Sequence, residues 1–142
     1  MTIRVQKEAF DPWQEVAAHQ TRTGELAGGF GATAVFVGSM RDMSHGEAVS
    51  AMTLEHYPGM TEGYLEKIRA EAHSRWEILE SLVIHRYGPL TPNEPIVLVA
   101  VWAVHRDAAF AACRYLIDEL KTRAPFWKQE MTPTGARWVK PD

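Results

Sequence analysis

In Leu120-Lys121-Thr122-Arg123-Ala124-Pro125-Phe126-Trp127-Lys128 an amphipathic helix ends, a proline forbids its continuation, two aromatics follow, and cationic side chains crowd the junction. Proline has no N–H and drives the residue before it out of the helical region, so the helix must stop near Arg123. Upstream, Phe110, Cys113, Leu116, Ile117 and Leu120 recur at helical spacing and define a buried face. Lys121 stands four residues after Ile117, so it projects beside that face rather than opposite it. A lysine on the border of a core either snorkels to water or lines a pocket. Lys121 and Arg123 also complement the negative end of the helix dipole.

Working outward, Ala103-Val104-His105-Arg106-Asp107 precedes this helix, with Asp107 the expected N-cap. Before it, Ile96–Trp102 is a nearly all-apolar run, as in a central strand covered on both faces. His105 and Arg106 therefore stand where a central strand meets a helix N-terminus, where free N–H groups favour anions. A structural histidine and an arginine paired with a nearby acid are the plainer alternatives. Beyond Pro125, Trp127–Thr132 and Arg137–Val139 flank Pro133-Thr134-Gly135 and predict a hairpin. Tryptophans in such a hairpin are expected in the core.

From the N-terminus, Thr2–Gln6 alternates as a strand, and Asp11-Pro12 opens a helix to about Gln20. The glycines of 21–31 mark a loop without nucleotide-fingerprint spacing. The strand Ala32–Val37 empties into Gly38-Ser39-Met40-Arg41-Asp42-Met43-Ser44-His45-Gly46. Arg41 is the strong cation of that loop: it pairs with Asp42 or Glu47, or it meets a ligand. Val49–His56 is a strand with Met52, Leu54 and His56 on one side. Tyr57-Pro58-Gly59 turns into a helix to about Glu77, with Tyr64, Leu65, Ile68, Ala72 and Trp76 as its stripe. Leu82–Tyr87 is a further strand, followed by a loop punctuated by Pro89, Pro92 and Pro95. The loose alternation of strands and three helices, with a C-terminal hairpin, indicates α+β architecture on a mixed or largely antiparallel sheet. With 142 residues and no linker or repeat, one domain spanning 1–142 is expected.

Composition narrows the function. The net charge is −3, yet the segment from Lys121 to Asp142 is locally basic. A basic end on an acidic chain fits a discrete anion site and argues against a nucleic-acid coat. Cys113 is the single cysteine and lies on an apolar helix face, so a buried thiol in a reducing, cytoplasmic setting is expected. There is no signal-peptide pattern and no run long enough to span a bilayer. The histidines lack metal-ligand spacing, so neither a metal nor a cofactor is expected. No serine or cysteine nucleophile elbow and no hydrolytic carboxylate pair is present. Arg41, His105, Arg106, Lys121 and Lys128 all fall at segment ends. Together they predict a pocket for a small anionic, phosphorylated ligand, with a lysine against an apolar wall as acid, base or nucleophile.

Three segments add a resemblance. Leu54-Glu55-His56-Tyr57-Pro58-Gly59-Met60, Val104-His105-Arg106 and Leu120–Lys128 resemble the large, catalytic (MoaE-type) subunit of molybdopterin synthase, in order along essentially the whole chain. The resemblance implies an α/β hammerhead-type fold and a homodimer within a heterotetramer. A small ubiquitin-like (MoaD-type) sulfur-carrier subunit docks at each end and threads its Gly-Gly thiocarboxylate tail into the pocket. The implied reaction converts cyclic pyranopterin monophosphate (precursor Z) to molybdopterin by transfer of two sulfurs. Lys121 would then be catalytic and Lys128 would assist. Arg41, His105 and Arg106 would hold phosphate and pterin, and Gln129 and Glu130 would line the same pocket. Ser39 and Met40 stand where the family often has Lys-Val before the arginine, so one phosphate-contacting cation is replaced. Relatives often carry a tail with a further arginine, for which Lys140 is the candidate replacement.

Overall fold

The proline- and glycine-marked boundaries become the ends of the elements in the computed structural model, which describes residues 2–26 and 28–139. Lys140 lies outside the described residues. In chain order the elements are β1 (Thr2–Gln6), α1 (Pro12–Arg22), β2 (Ala32–Ser39), β3 (Met43–Ser44), β4 (Glu47–Ala48), β5 (Ala51–His56), α2 (Met60–Arg75), β6 (Ile78–Arg86), β7 (Gly88–Leu90), β8 (Pro95–Ala103), α3 (Arg106–Arg123), β9 (Phe126–Thr132) and β10 (Gly135–Val139). Asp11 caps α1 by accepting from the Trp13 and Gln14 amides, with Pro12 in the first turn.

Two four-stranded sheets share the work. The first has the order β1-β6-β8-β2, parallel only between β1 and β6. The apolar run Val97–Ala103 is buried throughout within β8, a central strand as its composition requires. One face of this sheet packs under α2 and α3 through Val97, Val99 and Val101. The other face holds Leu98, Ala100 and Trp102 against Leu26 and the half-buried Val16 of α1. The second sheet, β10-β9-β5-β7, is antiparallel throughout. Met52, Leu54, Leu90, Val49 and Met40 form its smaller core. This arrangement is mixed α+β with three helices and a C-terminal hairpin, as expected.

Several expectations change. Asp107 lies in the first turn of α3, and His105 is the N-cap, with no side-chain capping bond. Phe110 is 68% exposed. Ala109 and Ala112 take the sheet-facing positions instead, because a helix lying close to a sheet leaves room there for small side chains. Tyr64 is likewise exposed at the rim of the α2 stripe, while Leu65, Ile68 and Ala72 are buried. Trp127 and Trp138 are on the surface rather than in the core. Strand alternation forces this for Trp127, since Phe126 and Lys128 turn inward. The short β7 was hidden by its proline, which occupies an edge strand. Cys113 is buried, and burial pushes its thiol up to about 11, which keeps it protonated. Among the described residues no helix is long and apolar enough to cross a membrane.

Candidate active site

The junction after α3 builds the site. Ala124 leaves the helix with ψ 136°, and its N–H still donates to the Leu120 carbonyl at 3.1 Å. Pro125 follows, and β9 starts at Phe126. There β9 pairs with β5 in the register Phe126↔His56, Lys128↔Leu54 and Glu130↔Met52. Because side chains alternate, Phe126, Lys128 and Glu130 share one face of β9. That face looks toward the last turn of α3, where Lys121 is half-buried.

Two adjoining hollows occupy the space between. The first, about 50 Å³, is mostly apolar, with Leu54, Leu120, Phe126 and His85 among its walls. The second, about 90 Å³, is polar and is bounded by Ser39, Met40, Arg41, Ser44 and Glu130. Lys121 and Lys128 border both. Lys121 therefore lines a pocket. The helix end sets it in the wall of the apolar hollow together with Leu120 and Ala124, and in the wall of the polar one as well.

The charges around this boundary are organised by one buried carboxylate. Glu130 is 3% exposed. It lies 3.6 Å from the Lys128 ammonium and 3.2 Å from the Arg137 guanidinium. Burial alone would raise its carboxyl, but the Ser44 bond, the Lys128 charge and Arg137 together hold it below the usual range. Arg137 also donates to Glu47 at 3.0 Å and to the Ser44 carbonyl at 2.8 Å, tying the β3–β4 ribbon to the hairpin. Glu47 therefore pairs with Arg137, and the pairing with Arg41 considered from sequence is not the one formed.

On the apolar side, His85 is buried on β6 and stacks on Phe126. Its Nδ1 is 2.7 Å from the Arg86 carbonyl. Burial pushes the imidazole down to about 3; the Arg86 carbonyl opposes this, and the charges of Lys121 and His56 reinforce it. At neutral pH the ring is uncharged. Lys121 and Lys128 form a cationic pair with one mostly apolar flank and one polar flank. It can bind an anion and can stabilise or protonate developing negative charge within the pocket.

Of the residues singled out from sequence, Ser39, Met40, Arg41, Lys121, Lys128 and Glu130 come together here. Three do not. Gln129 pairs with Thr53 on the opposite face of the second sheet. His105 and Arg106 are exposed at the far end of α3, about 22 Å from Lys121 along the helix axis. The strand-to-helix corner and the lysine pair are therefore separate within one chain. Sequence reasoning missed His85 and Arg137. A histidine inside the apolar run Leu82–Tyr87 was the available signal for the first. For Arg137 only strand pairing reveals the role.

The MoaE protein family profile matches residues 5–123. The molybdopterin synthase catalytic subunit of Pseudomonas aeruginosa is 53% identical over 141 residues, covering 99% of this chain and 91% of that protein. Among solved structures, the molybdopterin biosynthesis MoaE protein of Burkholderia ambifaria has a TM-score of 0.81 at 52% identity, covering 99% of this chain and 89% of its own. The molybdopterin synthase of Staphylococcus aureus has a TM-score of 0.82 at 29% identity, covering 95% and 94%. With a profile match over most of its length, and full-length relatives at this identity, the chain belongs to the MoaE family, the catalytic subunits of molybdopterin synthase.

Proposed function

We propose that this chain performs the sulfur-transfer step of molybdopterin synthesis at the Lys121–Lys128 pocket. The substrate is the cyclic pyranopterin monophosphate. The donor is the C-terminal thiocarboxylate of a separate small ubiquitin-like subunit. Two sulfurs are delivered to form the dithiolene, and the cyclic phosphate is opened. The carrying observation is that Lys121 and Lys128 border both a narrow apolar hollow and a polar one that holds Arg41. An extended tail ending in an anion suits the first compartment, and a phosphorylated pterin suits the second.

Each residue has a distinct task in this reading. Lys121, against its apolar wall, acts as general acid or base and stabilises charge as the thiocarboxylate sulfur attacks. Lys128, held in place by Glu130, binds the donor end or the substrate. Arg41 holds phosphate, and Ser39 and Met40 shape the polar wall. His105 and Arg106 reach such a pocket only from a second subunit, which makes a homodimer part of the proposal. Glu130 orders the lysine. Gln129 has no direct part.

The test is molybdopterin formation by the chain mixed with thiocarboxylated small subunit and the cyclic monophosphate. Lys121→Ala is expected to lower turnover by about 10²-fold or more, the scale of a lost acid–base group, with folding unchanged by circular dichroism. Turnover near that of the intact chain would remove Lys121 from the chemistry. A mixed dimer of Lys121→Ala and Arg106→Ala chains tests the second-subunit assignment: it should regain one complete site and part of the activity.

A further inference from the structure

One wall of the polar hollow is held by backbone bonds to a turn that precedes β8. β2 pairs with β8 as far as Ser39, which stands opposite Pro95 with an irregularity in register just before it. Pro95 has no N–H, so it can accept in the ladder but not donate. The turn before it takes over. The Met40 N–H donates to the Glu94 carbonyl at 3.0 Å, and the Met40 carbonyl accepts from the Asn93 N–H at 2.9 Å. Asn93 has φ 74°, a left-handed conformation that asparagine tolerates better than most residues. Met40 is therefore gripped by both of its backbone groups, and Arg41 is the next residue. Both border the polar hollow.

The turn is anchored by a buried cation that the chemistry proposed above does not use. Arg86, on β6, is 6% exposed. Its Nε and Nη2 donate to the Lys7 carbonyl at 3.1 and 2.9 Å, and its Nη1 donates to the Glu94 carboxylate at 2.7 Å. The same carboxylate accepts from the Thr91 amide at 2.8 Å and from the Thr91 hydroxyl, which closes the turn on itself. The Thr91 hydroxyl, Arg86 and the Thr91 amide hold the Glu94 carboxyl down to about 2, so it is charged at neutral pH. A guanidinium this buried is unfavourable without a counter-charge, so Arg86 requires Glu94 where it stands. The pair ties the 91–94 turn to β6 and to the chain just after β1.

We propose that Glu94 is a positioning residue for Arg41: anchored by the buried Arg86, it fixes the 91–94 turn, the backbone of that turn clamps Met40, and the clamp sets where the next side chain meets the polar hollow. The segment between β2 and β4 then has two moorings. Arg137 ties Ser44 and Glu47 on one side of Arg41, and the turn ties Met40 on the other. An arginine side chain is long and flexible, so the backbone beneath it must be held if its guanidinium is to be found in one place.

The clamp is read first without turnover. Glu94→Gln keeps the side chain's size and removes the charge that Arg86 requires. In the full chain, amide hydrogen exchange at residues 40 and 93 should speed up about tenfold in Glu94→Gln, the scale of one lost hydrogen bond to a charged group. Val99 and Val101 in β8 should keep their rates. Asn93→Gly keeps the left-handed backbone and should exchange like the intact chain. Asn93→Val strains it and should speed the same two amides. Rates at residues 40 and 93 that match the intact chain in both Glu94→Gln and Asn93→Val would overturn the proposal.

The link to Arg41 is read in the assembled enzyme. Glu94→Gln should raise KM for the cyclic monophosphate several-fold with kcat little changed. It should raise KM no further in a chain that already carries Arg41→Ala. A full further rise in that double variant would also overturn the proposal, since Glu94 would then act by another route. The inference rests on the reading in which Arg41 holds phosphate, and the two failures differ. Normal KM in Arg41→Ala, with exchange at residue 40 still raised in Glu94→Gln, would reject the phosphate role of Arg41 and leave the clamp. Raised KM in Arg41→Ala, with exchange and KM of Glu94→Gln as in the intact chain, would reject the clamp and leave the role of Arg41.

Discussion

Phe126 lies flat on the imidazole of His85, centroid to centroid 3.8 Å, and so locks the first residue of β9 to the end of β6. The contact joins the two sheets in the wall of the hollow that Lys121 also borders. Phe126 is 6% exposed, so Phe126→Ala should lower stability by about 3–5 kcal/mol, as for other large-to-small core changes. Urea denaturation checks this. A loss under about 1 kcal/mol would mean that the ring is not a core contact of this kind.

Lys128 and Lys121 should fail differently when removed. In the proposed mechanism Lys121 acts on developing charge, so Lys121→Ala should depress kcat. Lys128→Ala should raise KM more than it lowers kcat, because in the same proposal Lys128 binds a ground-state anion. It also leaves Glu130 buried beside one cation fewer, so a stability loss of about 1–3 kcal/mol should accompany it. Steady-state kinetics with melting curves separates the two. Identical kinetic signatures would contradict the division of roles.

Arg137 holds Glu130, Glu47 and the Ser44 carbonyl at once. Arg137→Ala should free the β3–β4 ribbon beside Arg41 while leaving the main core intact. Hydrogen exchange should speed up at the ribbon amides and barely change in β8. KM for the phosphorylated substrate should rise several-fold, in keeping with misplacement of Arg41. Unchanged exchange in residues 43–48 would show that the ribbon does not depend on this arginine.

Stability should fall on mild acidification. An unfolded chain protonates its histidines near 6.5, whereas the folded chain resists this at His85 down to about 3 because the ring is buried. His19 and His73 are lowered in the same direction, chiefly by burial. A depressed folded-state value means that the unfolded chain binds the extra proton. The stabilisation is therefore complete above pH 6.5 and is lost as pH falls toward 3. The slope is about 1.4 kcal/mol per pH unit for each fully resisting histidine. Urea midpoints at pH 7.5 and 5.0 should show the loss, and His85→Gln should flatten it. A midpoint that does not drop between these values would contradict the buried neutral ring.

Much of the fold was legible before any coordinates. Pro12, Pro125 and the apolar run ending at Trp102 carry local information. A proline fixes where a helix starts or stops, and a strand without polar residues must be covered on both faces. The lysine-rich junction was legible too, because the helical spacing of Leu116, Ile117 and Leu120 places Lys121 at the edge of the core.

What the sequence by itself determined was therefore the punctuation of the chain, the central strand and the pair of lysines flanking Pro125. The tertiary structure alone decided which distant side chains join them. The β5–β9 register turned Glu130 inward and Gln129 outward, and the length of α3 set His105 and Arg106 at the opposite end from Lys121. The packing of β6 against Phe126 brought His85 into the wall of the hollow that Lys121 also borders. The reason is physical: spacing along one element fixes neighbours on its own surface, whereas contacts between elements depend on register and packing, which no local pattern encodes.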